Sequence, residues 1–458
     1  MHYPTLSDLK SLSHCPKTSL NHSLLSPRIV IEVLSELNLE FRQRIFTPFV
    51  TLYAFIWQVL EDDGSCRRAT AKVLEKKLVA GKRACSASNA SYCRARARLP
   101  IEFFEKICSK LFLNLESIKE RDKWAWKHGI VKVVDGSGFS VADTSENLKK
   151  FSRQNSYKKK QLKTGFPRGR FLGVFCLATG GLVSLKITDW KGKGTGELSL
   201  LRKLWGSFRR GETLLGDSIF SNFFVVEKAL SLGVHLVAEF PKSRAKNLKQ
   251  KRRDQKFILK KGNRPKWLDL NGFKQLSNVI EVRIIKINVS PNGFRARNKW
   301  ILTTHPDHVA VEDIKDLYRQ RWNVELNYKS IKTVLGLDHI PVKTPEMVEK
   351  HIWVHLIAYN ILRIRMAEAG MIGGKQPTKL SFRATQQITL EVCSASLGSA
   401  SDSIINLFIL QHLVGQRPDR YEPRAKKTRP KTFPYLSEAR KSAKGKLFKR
   451  HKGKKPIS

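Results

Sequence analysis

Between Trp124 and Pro241 the chain runs as short apolar stretches bounded by glycine, aspartate and proline, each too brief to be a helix. HGIVKVVDGSGFSV is one, FLGVFCLATGGLVSLKITDW reads as a hairpin about Gly180-Gly181, and GETLLGDSIF and GVHLVAEFP follow. A helical stretch, TGELSLLRKLWGSF, lies before the fourth run. Several strands with a helix among them predict a mixed sheet with helical cover, an α/β fold.

Two acidic residues stand at the ends of such runs. Asp135 follows IVKVV and precedes Gly136-Ser137-Gly138, and Asp217 follows TLLG. A carboxylate at a strand end also serves simply as a turn residue or helix cap. Asp143 and Asp189 read that way, as turn or surface residues.

A third acidic residue, Glu325, lies in YRQRWNVELNYKSIK, where Tyr318, Arg321, Glu325 and Lys332 are spaced to share one face of an α-helix. One carboxylate among two cations and a phenol is poor material for a core. It fits a carboxylate that holds a metal ion while its neighbours hold phosphate, and it also fits a solvated face with ordinary ion pairs. Two aspartates on adjacent strands and a glutamate from a covering helix could hold two divalent cations roughly 3.5–4 Å apart. Only hard oxygen ligands are offered, so Mg²⁺ or Mn²⁺ is expected rather than zinc.

The charge balance points to a polyanion. Lys+Arg 85 against Asp+Glu 39 leaves a net charge of +46 on 458 residues, a self-repulsion that nucleic acid would relieve. No apolar run approaches twenty residues, and HIWVHLIAYNILRIRMAEAG is interrupted by His355, Arg363 and Arg365, so a buried helix is expected there and no membrane partner. Cys15, Cys66, Cys85, Cys93, Cys108, Cys176 and Cys393 form no CxxC pair, which excludes a zinc ribbon and fits a reducing, cytoplasmic setting.

Around the strand-rich region the pattern changes. Residues 1–28 read as a loose lead-in, and 29–123 as helical. Within the latter a turn at Ser86 to Asn89 leads to a short helix carrying Arg94, Arg96 and Arg98, compatible either with a helix-turn-helix reader of DNA or with a bundle whose arginines are merely solvated. Residues 241–306 read as a basic, β-rich insertion that includes NVIEVRIIKINV and KWILTT. Residues 307–370 carry the Glu325 helix and the apolar helix, 371–416 read as helical, and 417–458 as a basic tail, disordered without a partner.

Taken together these residues resemble the DDE transposases of bacterial insertion sequences, specifically the insertion sequence 4 family. The resemblance runs from about Ser86 to the C-terminus. Its most specific element is a Y-x2-R-x3-E-x6-K signature, matched by Tyr318, Arg321, Glu325 and Lys332; DGSGFSVADTSEN and LLGDSIFSN match the two aspartate motifs. The resemblance implies a ribonuclease-H-like core at 124–240 and 307–370 and the insertion between second Asp and Glu; the basic helical pattern at 29–123 is read as an N-terminal DNA-binding domain. The resemblance also implies cut-and-paste DNA transposition, with Asp135, Asp217 and Glu325 catalytic and metal-holding. Arg321, Lys332 and Tyr318 would contact phosphates near the cleaved end. Trp300 would stack on a flipped base, although a core position in the insertion sheet is the other use of a Trp there. A DNA-bound homodimer on double-stranded DNA and a bacterial, nucleoid-associated setting are further implications. One departure stands out: many relatives have Arg directly after the second aspartate, and this chain has Ser218. Another ribonuclease-H-like nuclease and an inactive DNA-binding relative are the competing readings.

Overall fold

In the computed structural model the described residues are 25–415, apart from 43, 82, 84–85, 156–162, 247, 249–251, 290–296 and 395–400, together with 442 and 445–446. The expectations for residues 1–24 and for most of the tail from 417 fall outside them.

Five helices come first: α1 (Pro27–Glu36), α2 (Pro48–Leu60), α3 (Cys66–Val79), α4 (Ala90–Arg98) and α5 (Ile101–Glu116). Thr47 and Ser65 cap α2 and α3 through their hydroxyls, and proline opens α1 and α2 where its missing N–H costs nothing. Strands β1 (Val131–Val141), β2 (Ser152–Asn155), β3 (Lys163–Cys176) and β4 (Leu182–Asp189) follow, with α6 (Ser145–Lys150) between β1 and β2. Next come α7 (Glu197–Arg202), β5 (Thr213–Gly216), α8 (Phe223–Ser231) and β6 (His235–Phe240). The basic segment supplies α9 (Lys242–Ala245), β7 (Asp254–Lys260), α10 (Leu270–Gln275), β8 (Val279–Val289) and β9 (Arg297–Thr303). The last elements are α11 (Val311–Gln320), α12 (Asn323–Lys329), β10 (His339–Ile340), α13 (Pro345–Gly373), α14 (Phe382–Ser394) and α15 (Ser401–Gln411).

All ten strands join one mixed sheet, ordered β2-β3-β1-β5-β6-β9-β8-β7, with β4 on β3 and β10 on β1. β1, β3 and β4 are antiparallel neighbours, whereas β1, β5 and β6 run parallel. The hairpin turns where expected: Gly180 has φ +71, and a side chain there would also strike the Arg363 guanidinium at 2.9 Å. The strands of 241–306 are no separate sheet. β9 pairs antiparallel with β6 from Val237↔Thr303 to Phe240↔Trp300, so they extend the same ladder.

Each face of the sheet buries a different core. Val131, Val133, Phe139, Phe171, Phe175 and Leu215 face a cluster that continues into α1, α2, α5 and α13. Val134, Leu172, Val174 and Leu214 face the other, under α7 and α8. This is the period-two alternation of strands, with apolar residues at both phases because both faces are covered. Helix α13 is buried along nearly its whole length, with His351, His355, Arg363 and Arg365 all inside. Its polar groups are held: Asn360 bonds both the N–H and the C=O of Leu182, and Arg363 donates to Asn327 and Tyr359. No helix among the described residues is long and apolar enough to cross a membrane.

Candidate active site

β1 and β5 place the two aspartates side by side. Their pairing runs from Val131↔Thr213 to Val133↔Leu215; continued two residues past the end of that pairing, the register would set Asp135 level with Asp217. Both side chains then leave on one face. Asp135 accepts the N–H of Gly136 at 2.9 Å, and Asp217 accepts that of Ile219 at 2.9 Å, capping the short turn Ser218–Phe220. Asp217 is thus a turn cap as well as a partner of Asp135. Burial pushes the Asp135 carboxyl up to about 6; the Gly136 N–H and the Arg321 charge pull it down, and Glu197 and Asp217 push it further up.

Glu197, the first residue of α7, escaped the sequence reading. An ideal Cβ on Gly136 would lie 2.2 Å from its Oε1, so the glycine after Asp135 makes room for this carboxylate. Burial, then Asp217, raises its pKa, while Arg170 opposes them. The available signal was an acidic residue opening the helix between hairpin and β5.

The Tyr318–Lys332 stretch is not one continuous α-helix, which corrects the single-face reading. α11 ends at Gln320, and the next bonds are the short ones Arg321 N–H to Tyr318 C=O, Val324 to Arg321 and Glu325 to Trp322. α12 then opens into a wide π turn, Ser330–Val334, which carries Lys332. Arg321 reaches Glu325 at 3.4 Å and acts on Asp135. The Glu325 side chain is 40% exposed. Lys332 pairs with Asp338 at 2.9 Å. Tyr318 is 5% exposed and donates to Glu239 at 2.8 Å, a carboxylate that also accepts from Lys299 at 2.6 Å. Burial would raise Glu239, but these two bonds hold it below its ordinary value.

A second tyrosine does the joining. The buried hydroxyl of Tyr328 donates to the C=O of Asp135 and accepts the N–H of Gly173 at 3.1 Å. Asp135 and Gly173 are opposite one another in the ladder, and a Cβ on Gly173 would meet that hydroxyl at 2.9 Å. α12 is therefore fixed to β1 at the level of Asp135, one turn beyond Glu325.

The remaining candidates divide by exposure. Arg94 and Arg98 are exposed on α4. Arg96 is not a surface cation as the sequence suggested: it is 6% exposed, lies over the rings of Phe55 and Tyr92, and donates to Gln58 and Cys66. Its helical phase points it inward. Trp300, on β9, is 6% exposed within the core under α7 and α8, with Lys286 Nζ 5.5 Å from its ring centre. Asp189 holds Ser152 and the Trp190 N–H, and Asp143 pairs with Arg153, so both are structural. Beside Ser218, Arg244 donates to the C=O of Ser221 at 3.1 Å and brings a guanidinium to the turn that lacks the expected arginine.

Asp135 and Asp217 supply hard oxygen donors, a donor set that suits Mg²⁺ or Mn²⁺. Among the described residues no three acidic, histidine or cysteine side chains close around one point.

The family model described as a transposase DDE domain matches residues 126–361, from the residues before β1 into α13. The InsG transposase of insertion sequence element IS4 from Escherichia coli (strain K12) is 28% identical over 184 residues, 33% of this chain and 41% of that protein. A putative transposase for insertion sequence element IS4SA from Synechocystis sp. (strain ATCC 27184 / PCC 6803 / Kazusa) is 31% identical over 88 residues, 19% of this chain and 26% of that protein. The chain thus spans less than half the length of either relative. A solved piggyBac transposase synaptic complex with hairpin DNA superposes at TM-score 0.43 and 12% identity over 83% of this chain and 79% of that one, too loosely to transfer residues. With both aspartate motifs and the Glu325 signature inside the matched span, the chain belongs to the transposase DDE domain family and has relatives among the insertion sequence 4 transposases.

Proposed function

We propose that the chain is the transposase of a bacterial insertion sequence, cutting both strands at the element ends and joining them to target DNA. The observation that carries this reading is that Asp135 on β1 and Asp217 just past the parallel neighbour β5 lie close enough to act on one another, with Arg321 beside them, inside the family-matched span. The antiparallel β4-β3-β1 meander followed by parallel β5 and β6 is the order that supports a ribonuclease-H-like core.

Asp135 and Asp217 would hold Mg²⁺ or Mn²⁺, and Glu325 would complete the set when it leaves Arg321. Bound divalent ions supply an activated water or 3′-hydroxyl and charge relief at the leaving oxygen. Arg321, freed from Glu325, turns its guanidinium to a non-bridging phosphate oxygen, which accepts it in a two-point bond. Lys332 does the same as a point charge once released from Asp338. Tyr318 orients Glu239 and Lys299 behind them. Exposed Arg94 and Arg98 hold the DNA backbone away from the site. Two element ends call for two copies of the chain on double-stranded DNA.

The test uses a duplex bearing the element's terminal inverted repeat. Asp135→Asn, Asp217→Asn and Glu325→Gln should each abolish strand cleavage with Mg²⁺ while binding persists within a few-fold. Cleavage that survives any one of them rules out that residue's assignment. Unaltered, specific binding with no cutting by the native chain would favour an inactive relative.

A further inference from the structure

On the α7 side of the sheet, opposite Asp135, two tryptophans are stacked against arginines. Gly136 and Gly138 present their bare faces there: Gly136 to Glu197, and Gly138 to the Trp190 ring, which an added Cβ would strike at 2.9 Å. Trp190 lies between the guanidiniums of Arg168 and Arg170, 4.3 and 4.5 Å from its centre. Arg170 Nε is buried and finds no hydrogen-bond acceptor among the described residues. At the other end of α7, Arg202 lies 4.4 Å over Trp267, whose far side meets Phe224 edge-on. Trp267 is 48% exposed, unusual for an indole in a folded chain. Glu197, on which Arg170 acts, and Arg202 are the two ends of α7, about 7.5 Å apart along its axis. Exposed Lys191 and Lys193 follow Trp190 in the chain, and Asp189 accepts from the Ser152 and Trp190 N–H groups.

Guanidiniums lying flat on indoles keep their edge N–H groups directed outward, the arrangement that takes phosphate oxygens. An exposed aromatic between such cations suits the sugar and base edge of the same strand. The strip touches the site through Arg170 and Glu197, yet stands on the opposite face of β1 from α12. We propose that it seats the DNA on the far side of the cleaved phosphodiester from Arg321 and Lys332, so that the substrate is gripped on both faces of the sheet edge. This rests on the reading that the chain cuts DNA.

Anisotropy binding with two duplexes tests it. Both carry the terminal inverted repeat; one stops at the cleavage point and the other continues into flanking DNA. Arg168→Ala with Arg202→Ala should weaken the longer duplex about tenfold and lower its salt slope by about 2, while the shorter duplex is unaffected. Trp267→Ala should act in the same direction and Trp267→Phe should restore affinity, with melting temperatures unchanged in each. No loss, or equal loss on both duplexes, overturns the strip. Failure of the native chain to bind either duplex would overturn the proposed function itself, a result distinct from both.

Discussion

Burial, with Glu197 and Asp217 beside it, pushes the Asp135 carboxyl up to about 6 against the Gly136 N–H and the Arg321 charge. A metal ion must displace the carboxyl proton, so Mn²⁺ affinity measured by electron paramagnetic resonance should fall below pH 6, approaching tenfold per unit. Glu197→Gln removes a charge that raises Asp135 and should move the midpoint down, whereas Arg321→Ala should move it up. A midpoint that ignores both changes would sink the electrostatic account. That Asp135 sits inside a strand and Asp217 just past one could be read from the apolar runs before them. Glu197 was not, because only the folded chain shows that Gly136 leaves space for it. The burial of Arg96 was hidden too: a cation that packs between rings looks like any other in a basic segment.

At the scale of elements, the join between α12 and the sheet decides whether Glu325 can meet the aspartates. Tyr328→Phe removes the hydroxyl shared by Asp135 and Gly173 and should cost about 1–2 kcal/mol by denaturant unfolding, with a larger proportional loss in cleavage rate than in DNA affinity. Matching losses in rate and affinity would reduce Tyr328 to a packing residue. Asn360→Leu strips the bonds that hold β4 to α13 and should cost about 2–3 kcal/mol, leaving both Leu182 backbone groups unpaired. Residue spacing suggested one helical face for Tyr318, Arg321, Glu325 and Lys332. It could not reveal the tight turn at Arg321 or the wide one at Ser330, since winding depends on what the helix packs against.

For the whole molecule, buried histidines set the acid limit. Burial, and for His305 also the neighbouring His235, lowers His305 to about 3 and His355 to about 4, and holds His351 well below its ordinary value. Each binds its proton in the unfolded chain near pH 6.5 but not in the folded one, so stability is full above 6.5 and lost as pH falls. Each adds a loss of about 1.4 kcal/mol per pH unit in that window. Urea midpoints that stay flat from pH 6.5 to 4.5 would contradict this. The α/β class and the hairpin were readable from short apolar runs and Gly180-Gly181. The fusion of residues 254–303 into the same sheet was not, because strand periodicity says which residues face a core but not which neighbour completes the ladder.

That fusion has a mechanical consequence. β9 is bonded along four residues to β6, β6 to β5, and β5 to β1. A load placed on the outer strands would pass as shear through the ladder that pairs β9 with β6, β6 with β5 and β5 with β1. Tension in whatever the basic edge grips is delivered to the two carboxylates as a change in their separation.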